Sequence, residues 1–160
     1  MRPAAAYTIA LAIFALDRAT KWLVETRLST LDAYTVIPGF FDIVHARNPG
    51  AAFSLFADAD GPWRTFLLIG VAGVVLVMVA LMLRKAHTLN AGHAWGLALI
   101  LGGALGNVYD RVLTGAVTDF LDFYIGAWHW PAFNVADSAI VTGSGLLILD
   151  ILRNRHKERG

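Results

Sequence analysis

The sequence predicts an α-helical membrane protein: four transmembrane helices, a small extramembrane β-sheet on the outer face, and cytoplasmic N and C termini. Three observations lead there. The 160 residues are 57% hydrophobic and only 16% charged, with mean hydropathy +0.58, whereas soluble domains run near one quarter charged. Apolar runs of near-membrane length recur along the chain, and about 20 such residues cross a hydrocarbon core of about 30 Å. Between two of these runs, from Asn107 to Asp137, lie four carboxylates, two carboxamides and one guanidinium. Ionisable groups at membrane depth are costly and are kept for function.

The first helix is read over about residues 4–24. Ala4–Leu16 alone resembles the apolar core of a cleaved signal peptide, but no small-x-small cleavage site follows it. The pattern instead continues through Asp17, Thr20, Lys21 and Trp22. Asp17 and Lys21 are four apart and share a helix face, where they can pair; a surface ion pair at a helix terminus is the plainer alternative. Residues 27–63 change character. Tyr34–His45 is rich in β-branched and aromatic residues around a Pro38-Gly39 turn and reads as short strands. Asn48-Pro49-Gly50, followed by Ala51–Ser54, reads as a turn, and Asp58–Pro62 closes the segment.

Residues 65–83 carry no charge and are flanked by Trp63-Arg64 and Arg84-Lys85, the cleanest span. The third span, about 94–108, is rich in small residues, and Gly102 and Gly106 form a pair that permits close helix approach. Phe123–Trp130 reads as an aromatic, interface-seeking loop. The fourth span, about 132–152, carries Asp137 about a turn and a half inside its start and is followed by a basic tail, Arg153–Arg159. With four spans, Arg2, Arg84, Lys85, Arg153, Arg155, Lys157 and Arg159 fall on one side, which should be cytoplasmic. Residues 27–63 and 107–137 then share the outer face. No Pro/Gly/Ser-rich linker divides the chain, so residues 1–160 are read as a single domain.

Several chemistries are excluded at once. The chain has no cysteine, so disulfides, thiolate nucleophiles and Cys-based metal sites do not arise. Its five histidines show no metal-ligand spacing, and neither metal nor cofactor is expected. A net charge of +1 gives no reason to expect nucleic acid. Gly143-Ser144-Gly145 looks like a nucleophile motif but lies mid-span with no histidine nearby, where small residues serve packing.

What remains is carboxylate chemistry. Asp119 sits in an apolar setting and Asp137 inside the fourth span. Two carboxylates about 3 Å apart cannot both ionise, so one keeps a proton. Such a pair can activate water with one member and polarise a carbonyl with the other, which is amide hydrolysis without a metal. Asp137 is alternatively a packing or helix-terminal residue. Asp122 could replace Asp119 on charge alone, although in an extended chain it points to the opposite face and becomes a solvated neighbour. Asp110-Arg111 reads as an ion pair ordering the loop or a cation meeting lipid phosphate. Asn48, Asn107 and Asn134 suit backbone recognition or orientation of the aspartates, or are turn and capping residues.

Taken together, five motifs resemble the lipoprotein signal peptidases, the bacterial signal peptidase II family of membrane aspartic proteases. They are Asp17 with Thr20-Lys21; Asn48-Pro49-Gly50-Ala51-Ala52-Phe53; Gly102–Asn107 with Asp110-Arg111; Val117-Thr118-Asp119-Phe120; and Pro131–Ser138. The resemblance spans nearly the whole chain in the family's order. It implies a catalytic dyad of Asp119 and Asp137, with substrate-binding or supporting roles for Asp17, Lys21, Asn48, Gly50, Asn107, Asp110, Arg111 and Asn134. It implies an extramembrane β-cradle over residues 27–63 and a diacylglyceryl-modified prolipoprotein substrate, cut just before the lipidated cysteine. It further implies a monomer in the bacterial inner membrane, its active site near the periplasmic face in contact with membrane lipid, and inhibition by globomycin. The rival from another class is a non-catalytic membrane subunit whose paired acids relay protons or pack helices.

Overall fold

The computed structural model describes residues 1–50 and 63–157, with side chains through 153. The Ala51–Ser54 part of the turn motif, the Asp58–Pro62 closure and the side chains of the basic tail beyond Arg153 lie outside the described residues. The elements run α1 (Pro3–Arg27), β1 (Ala33–Ile37), β2 (Phe41–Asn48), α2 (Trp63–Leu83), a single 3-10 turn, α3 (Ala91–Thr114), β3 (Val117–Ile125), β4 (Trp128–His129) and α4 (Val135–Lys157). Four membrane spans were expected, and the described residues form four α-helices. α2 and the Val135–Arg153 part of α4 are each long and apolar enough to cross a membrane on their own. In α1 and α3 charged side chains occupy the C-terminal turns.

The helices assemble around α3, which packs against α1, α2 and α4. Glycines make this possible on two of its sides. A Cβ at Gly102 would lie 2.5 Å from the Ala10 carbonyl oxygen of α1, and one at Gly106 would strike the Asp17 carboxylate. On the other side Gly103 meets the Ala136 backbone of α4, and Gly96 and Gly143 meet each other's carbonyls. The small-residue pair read from the sequence is therefore a contact surface for α1, with a second seam beside it for α4. The facing stripe of α1 is Ala6, Ala10, Asp17, Lys21 and Val24, a helical spacing of three, four and seven.

The sheet departs from expectation. It has four antiparallel strands in the order β1-β2-β3-β4, and half of it comes from beyond residue 63. Phe123–Trp130, expected as an aromatic loop, contains the end of β3, a turn at Gly126 with φ +61° and the strand β4. Its β-branched and aromatic content suits a strand as well as a membrane interface, and composition alone does not separate the two. The third helix also runs past its expected end at 108, to Thr114, so Asp110 and Arg111 join Asn107 on the helix. Gly115, with φ +73°, supplies the left-handed residue that ends it.

Candidate active site

The N-terminus of α4 is built by a reciprocal cap. The Asn134 side-chain oxygen accepts from the Asp137 amide at 2.9 Å, while the Asn134 amide donates to Asp137 Oδ2 at 3.3 Å. This is a capping box with aspartate in the third position, and it complements the positive end of the helix. The structure thus bears out the plainer reading of Asp137 as a helix-terminal residue without exhausting its role. Its other oxygen, Oδ1, accepts from Asn107 Nδ2 of α3 at 2.7 Å.

The same cap reaches Asp119. Asn134 Nδ2 donates to Asp119 Oδ1 at 2.7 Å, so one carboxamide touches both aspartates. Phe133 makes this geometry possible by pairing with β3: its carbonyl accepts from the Phe120 and Leu121 amides, and its own amide donates to the Leu121 carbonyl. Across the sheet, Asn48 pairs with Val117 in register and donates from Nδ2 to Asp119 Oδ2 at 3.1 Å, the diagonal contact two residues along one sheet face. An irregularity in β2 between Ile43 and Ala46 lies opposite this point, where a bulge re-aims side chains. Asp119 is 3% exposed. Burial, then the charge of Asp137, pushes its carboxyl up to about 6, against the opposing pull of the Asn48 and Asn134 hydrogen bonds and the Lys21 charge.

Behind the two aspartates lies a buried charge cluster. Asp17 and Lys21 are both 0% exposed, so their pairing is not the surface ion pair of the plainer reading. Lys21 Nζ lies 2.8 Å from Asp17 Oδ2 and 2.7 Å from Asp110 Oδ2, and donates to Asn107 Oδ1 at 3.1 Å. Asp17 Oδ1 accepts the Ala136 amide at 2.9 Å. Asp110 does not pair with Arg111 as expected. A helix places adjacent residues about 100° apart, and Asp110 turns to α1, where it meets Lys21 and Arg18. Arg111 instead donates to the Gly50 carbonyl at 2.5 Å and to the Asn107 carbonyl at 3.3 Å. Gly50 in turn donates its amide to Asn48 Oδ1 at 2.9 Å, which closes the Asn-Pro-Gly turn onto α3.

Asp122 stays apart. β3 is extended, so Asp119 and Asp122 alternate faces as expected. Asp122 is not solvated, however: it is 9% exposed and bound to His129 Nδ1 at 2.9 Å, because β4 folds back over it. The signal that sequence reading missed is Arg18, one residue from Asp17 and in register with Glu25 two turns on.

Asp119, Asp137, Asn48, Asn107 and Arg111 line one cavity of about 690 Å³. Its remaining walls are largely apolar: Leu67, Leu68 and Val71 of α2, Ala104 and Val108 of α3, Ile140 and Val141 of α4, and Trp130–Phe133. Among the described residues no group of three or more His, Cys, Asp or Glu side chains is placed to hold a metal ion. A buried carboxylate, Asp119, and a half-buried one, Asp137, at the head of an apolar cleft have the equipment for amide hydrolysis. Comparison with known proteins agrees: the sequence pattern of the family described as Signal peptidase (SPase) II matches residues 9–153. The chain belongs to the signal peptidase II family. It is similar to the lipoprotein signal peptidase of Solibacter usitatus (strain Ellin6076), 56% identical over 95% of this chain and 93% of that protein. It is also similar to that of Janthinobacterium sp. (strain Marseille), 48% identical over 91% of this chain and 86% of the relative. A bacterial membrane enzyme solved by the in meso method at 2.3 Å resolution superposes with TM-score 0.84 at 32% identity, over 95% of this chain and 90% of its own. A second, at 1.9 Å, gives 0.82 at 31%, over 93% of each. As a member of the signal peptidase II family the chain is a peptidase, which removes the non-catalytic membrane subunit as the leading alternative.

Proposed function

We propose that this peptidase removes signal peptides from diacylglyceryl-modified prolipoproteins, cutting before the lipidated cysteine with water activated by Asp119 and Asp137. The observation that carries the assignment is the Asn134 carboxamide, which ties both aspartates to one cavity. Asp119, whose carboxyl is pushed up to about 6, holds the shared proton, and Asp137 is the base. A water between them gives a proton to Asp137 and attacks the scissile carbonyl carbon, while Asp119 donates its proton to the carbonyl oxygen. The tetrahedral diol then collapses: Asp119 recovers a proton from a hydroxyl, Asp137 protonates the departing amine, and the C–N bond breaks. Substrate in the cleft excludes water and disfavours double ionisation of the pair still further.

The supporting residues have stated tasks in this scheme. Asn48 and Asn134 orient Asp119, and Asn107 orients Asp137. Lys21, Asp17 and Asp110 hold Asn107 and the start of α4. Arg111, anchored on Gly50, presents a cation at the cavity wall for substrate carbonyls or lipid phosphate. The apolar wall of α2, α3 and α4 receives signal peptide and acyl chains, and globomycin would compete for the same space.

All four helices span the bacterial inner membrane in this reading, residues 1–160 forming one monomeric domain with cytoplasmic termini and the sheet on the periplasmic face. The exposed apolar side chains of α2, including Phe66, Val71, Val74 and Met78, support a lipid-facing surface. The test is cleavage by purified protein in detergent, comparing wild type, Asp119→Asn and Asp137→Asn on a prolipoprotein with and without its diacylglyceryl group. Cleavage by wild type alone, of the lipidated form alone, is expected. Cleavage by both variants would show the aspartates to be structural.

A further inference from the structure

Arg18 lies outside every motif that carries the family resemblance, yet it is the outermost member of the buried cluster. Its guanidinium pairs with Asp110 Oδ1 through Nη1 and approaches Glu25 Oε2 through Nη2 at 3.8 Å. It also lies over the Tyr109 ring, 4.9 Å from the centroid. Each carboxylate begins a route to a different aspartate. Asp110 binds Lys21, which holds Asn107, which donates to Asp137. Glu25 accepts from the Thr118 hydroxyl at 2.7 Å; Thr118 precedes Asp119, and its carbonyl accepts from Asn134 Nδ2 at 3.3 Å.

Charge bookkeeping gives Arg18 a second role. The fully buried part of the cluster holds two carboxylates, Asp17 and Asp110, against one ammonium, Lys21. Without Arg18 the two carboxylates would share a single cation, in a setting where screening is weak. Among the described residues, the groups around Arg18 are Asp17, Lys21 and Glu25 of its own helix and Tyr109 and Asp110 of α3, while β3 brings the neutral Thr118 to Glu25 and, next to it, Asp119, on which the Lys21 charge acts.

We propose that Arg18 is a positioning residue for the Asp119–Asp137 dyad, bracing the α3 and β3 routes from one guanidinium and neutralising the carboxylate cluster behind them. The proposal rests on the dyad reading above. A planar guanidinium suits the task because it presents two donor edges to two carboxylates and a face to an aromatic ring at once, which a lysine ammonium cannot do.

The experiment measures kcat and KM across pH for wild type, Arg18→Gln and Arg18→Lys on lipidated prolipoprotein, with thermal unfolding in the same detergent. Arg18→Gln is expected to lower kcat about tenfold with KM within about twofold. It should also move both limbs of the pH profile to higher pH, because the Asp110 charge, without its Arg18 partner, opposes ionisation of the dyad. Arg18→Lys restores the charge but not the two-edged brace, so the limbs should return while kcat stays about threefold low. A folded Arg18→Gln with wild-type kcat and pH profile overturns the proposal, even if it melts earlier. Should Arg18→Gln fail to accumulate, wild-type kcat in Arg18→Lys overturns it. Asp119→Asn and Asp137→Asn in the same assay separate the two ideas: full activity in those variants sinks the dyad, whereas their inactivity beside unaltered Arg18 variants sinks only the positioning role.

Discussion

Asn107 faces Asp137 with its amide nitrogen and Lys21 with its oxygen. The two contacts, 2.7 Å and 3.1 Å, fix which way the carboxamide points. An ammonium only donates and Asn Nδ2 only donates, so the oxygen must turn to Lys21 and the amide group is left for the aspartate. A buried cation thereby sets the hydrogen bond received by a carboxylate on another helix.

Replacing Asn107 by alanine removes both contacts. The variant should lose about 1–3 kcal/mol of stability because the Lys21 ammonium keeps only its two carboxylate partners, and about a hundredfold in kcat as Asp137 loses its orientation. Thermal unfolding and single-turnover cleavage check the two effects separately.

Lys21→Met should be more damaging to the fold. It leaves Asp17 and Asp110 without the cation they share, and breaking a buried ion pair from one side costs about 3–5 kcal/mol. Poor accumulation in membranes, or a melting temperature well below that of Asn107→Ala, is the expected result.

The pH dependence has a definite sign. Asp119 has its carboxyl raised to about 6, so in the free enzyme it holds its proton below that pH and loses it above. If the protonated form is the one that polarises the substrate carbonyl, kcat/KM falls as pH rises through that value. The Asn48 hydrogen bond favours ionised Asp119; Asn48→Ala removes it and should move this limb to higher pH. A limb that moves down would contradict the assignment of the proton to Asp119.

Asp122→Asn is the internal control. Asp122 lies on the other face of β3 beside His129, so its loss should leave kcat within about threefold of wild type. Damage equal to that of Asp119→Asn would show that the wrong aspartate has been placed in the dyad.

Gly143→Val tests the helix seam. Even the first carbon of a side chain would lie 2.5 Å from the Gly96 carbonyl oxygen, and overpacking of this kind costs about 1–3 kcal/mol or more. Lower thermal stability is expected, with cleavage per folded molecule reduced as α4 shifts.

Much of this was legible in the residues. The helices could be read because long apolar runs with charged flanks have few other uses, and the Asp17–Lys21 pairing because a spacing of four shares one helix face, although its burial was not readable. The alternation that separates Asp119 from Asp122 also follows from strand period alone. Three things were not legible. β3 and β4 looked like an interface loop because aromatic and β-branched residues serve both settings. The end of α3 was hidden because Asp110 and Arg111 look like loop residues until their partners on α1 and the Asn48 turn are known. Asp110 was paired with its sequence neighbour Arg111, when helix geometry turns the two toward different elements. Long-range partners such as Arg18 and Asp110, or Glu25 and Thr118, leave no local trace in a single sequence.

The two aspartates reside on β3 and on α4, and the Asn134 cap touches both. During biosynthesis Asp119 therefore emerges well before its counterpart. On the proposed dyad, the nascent polypeptide stays hydrolytically silent until α4 has closed against the glycines of α3. Latency of this kind needs no propeptide or inhibitor, because synthesis from N to C terminus delivers the second carboxylate last.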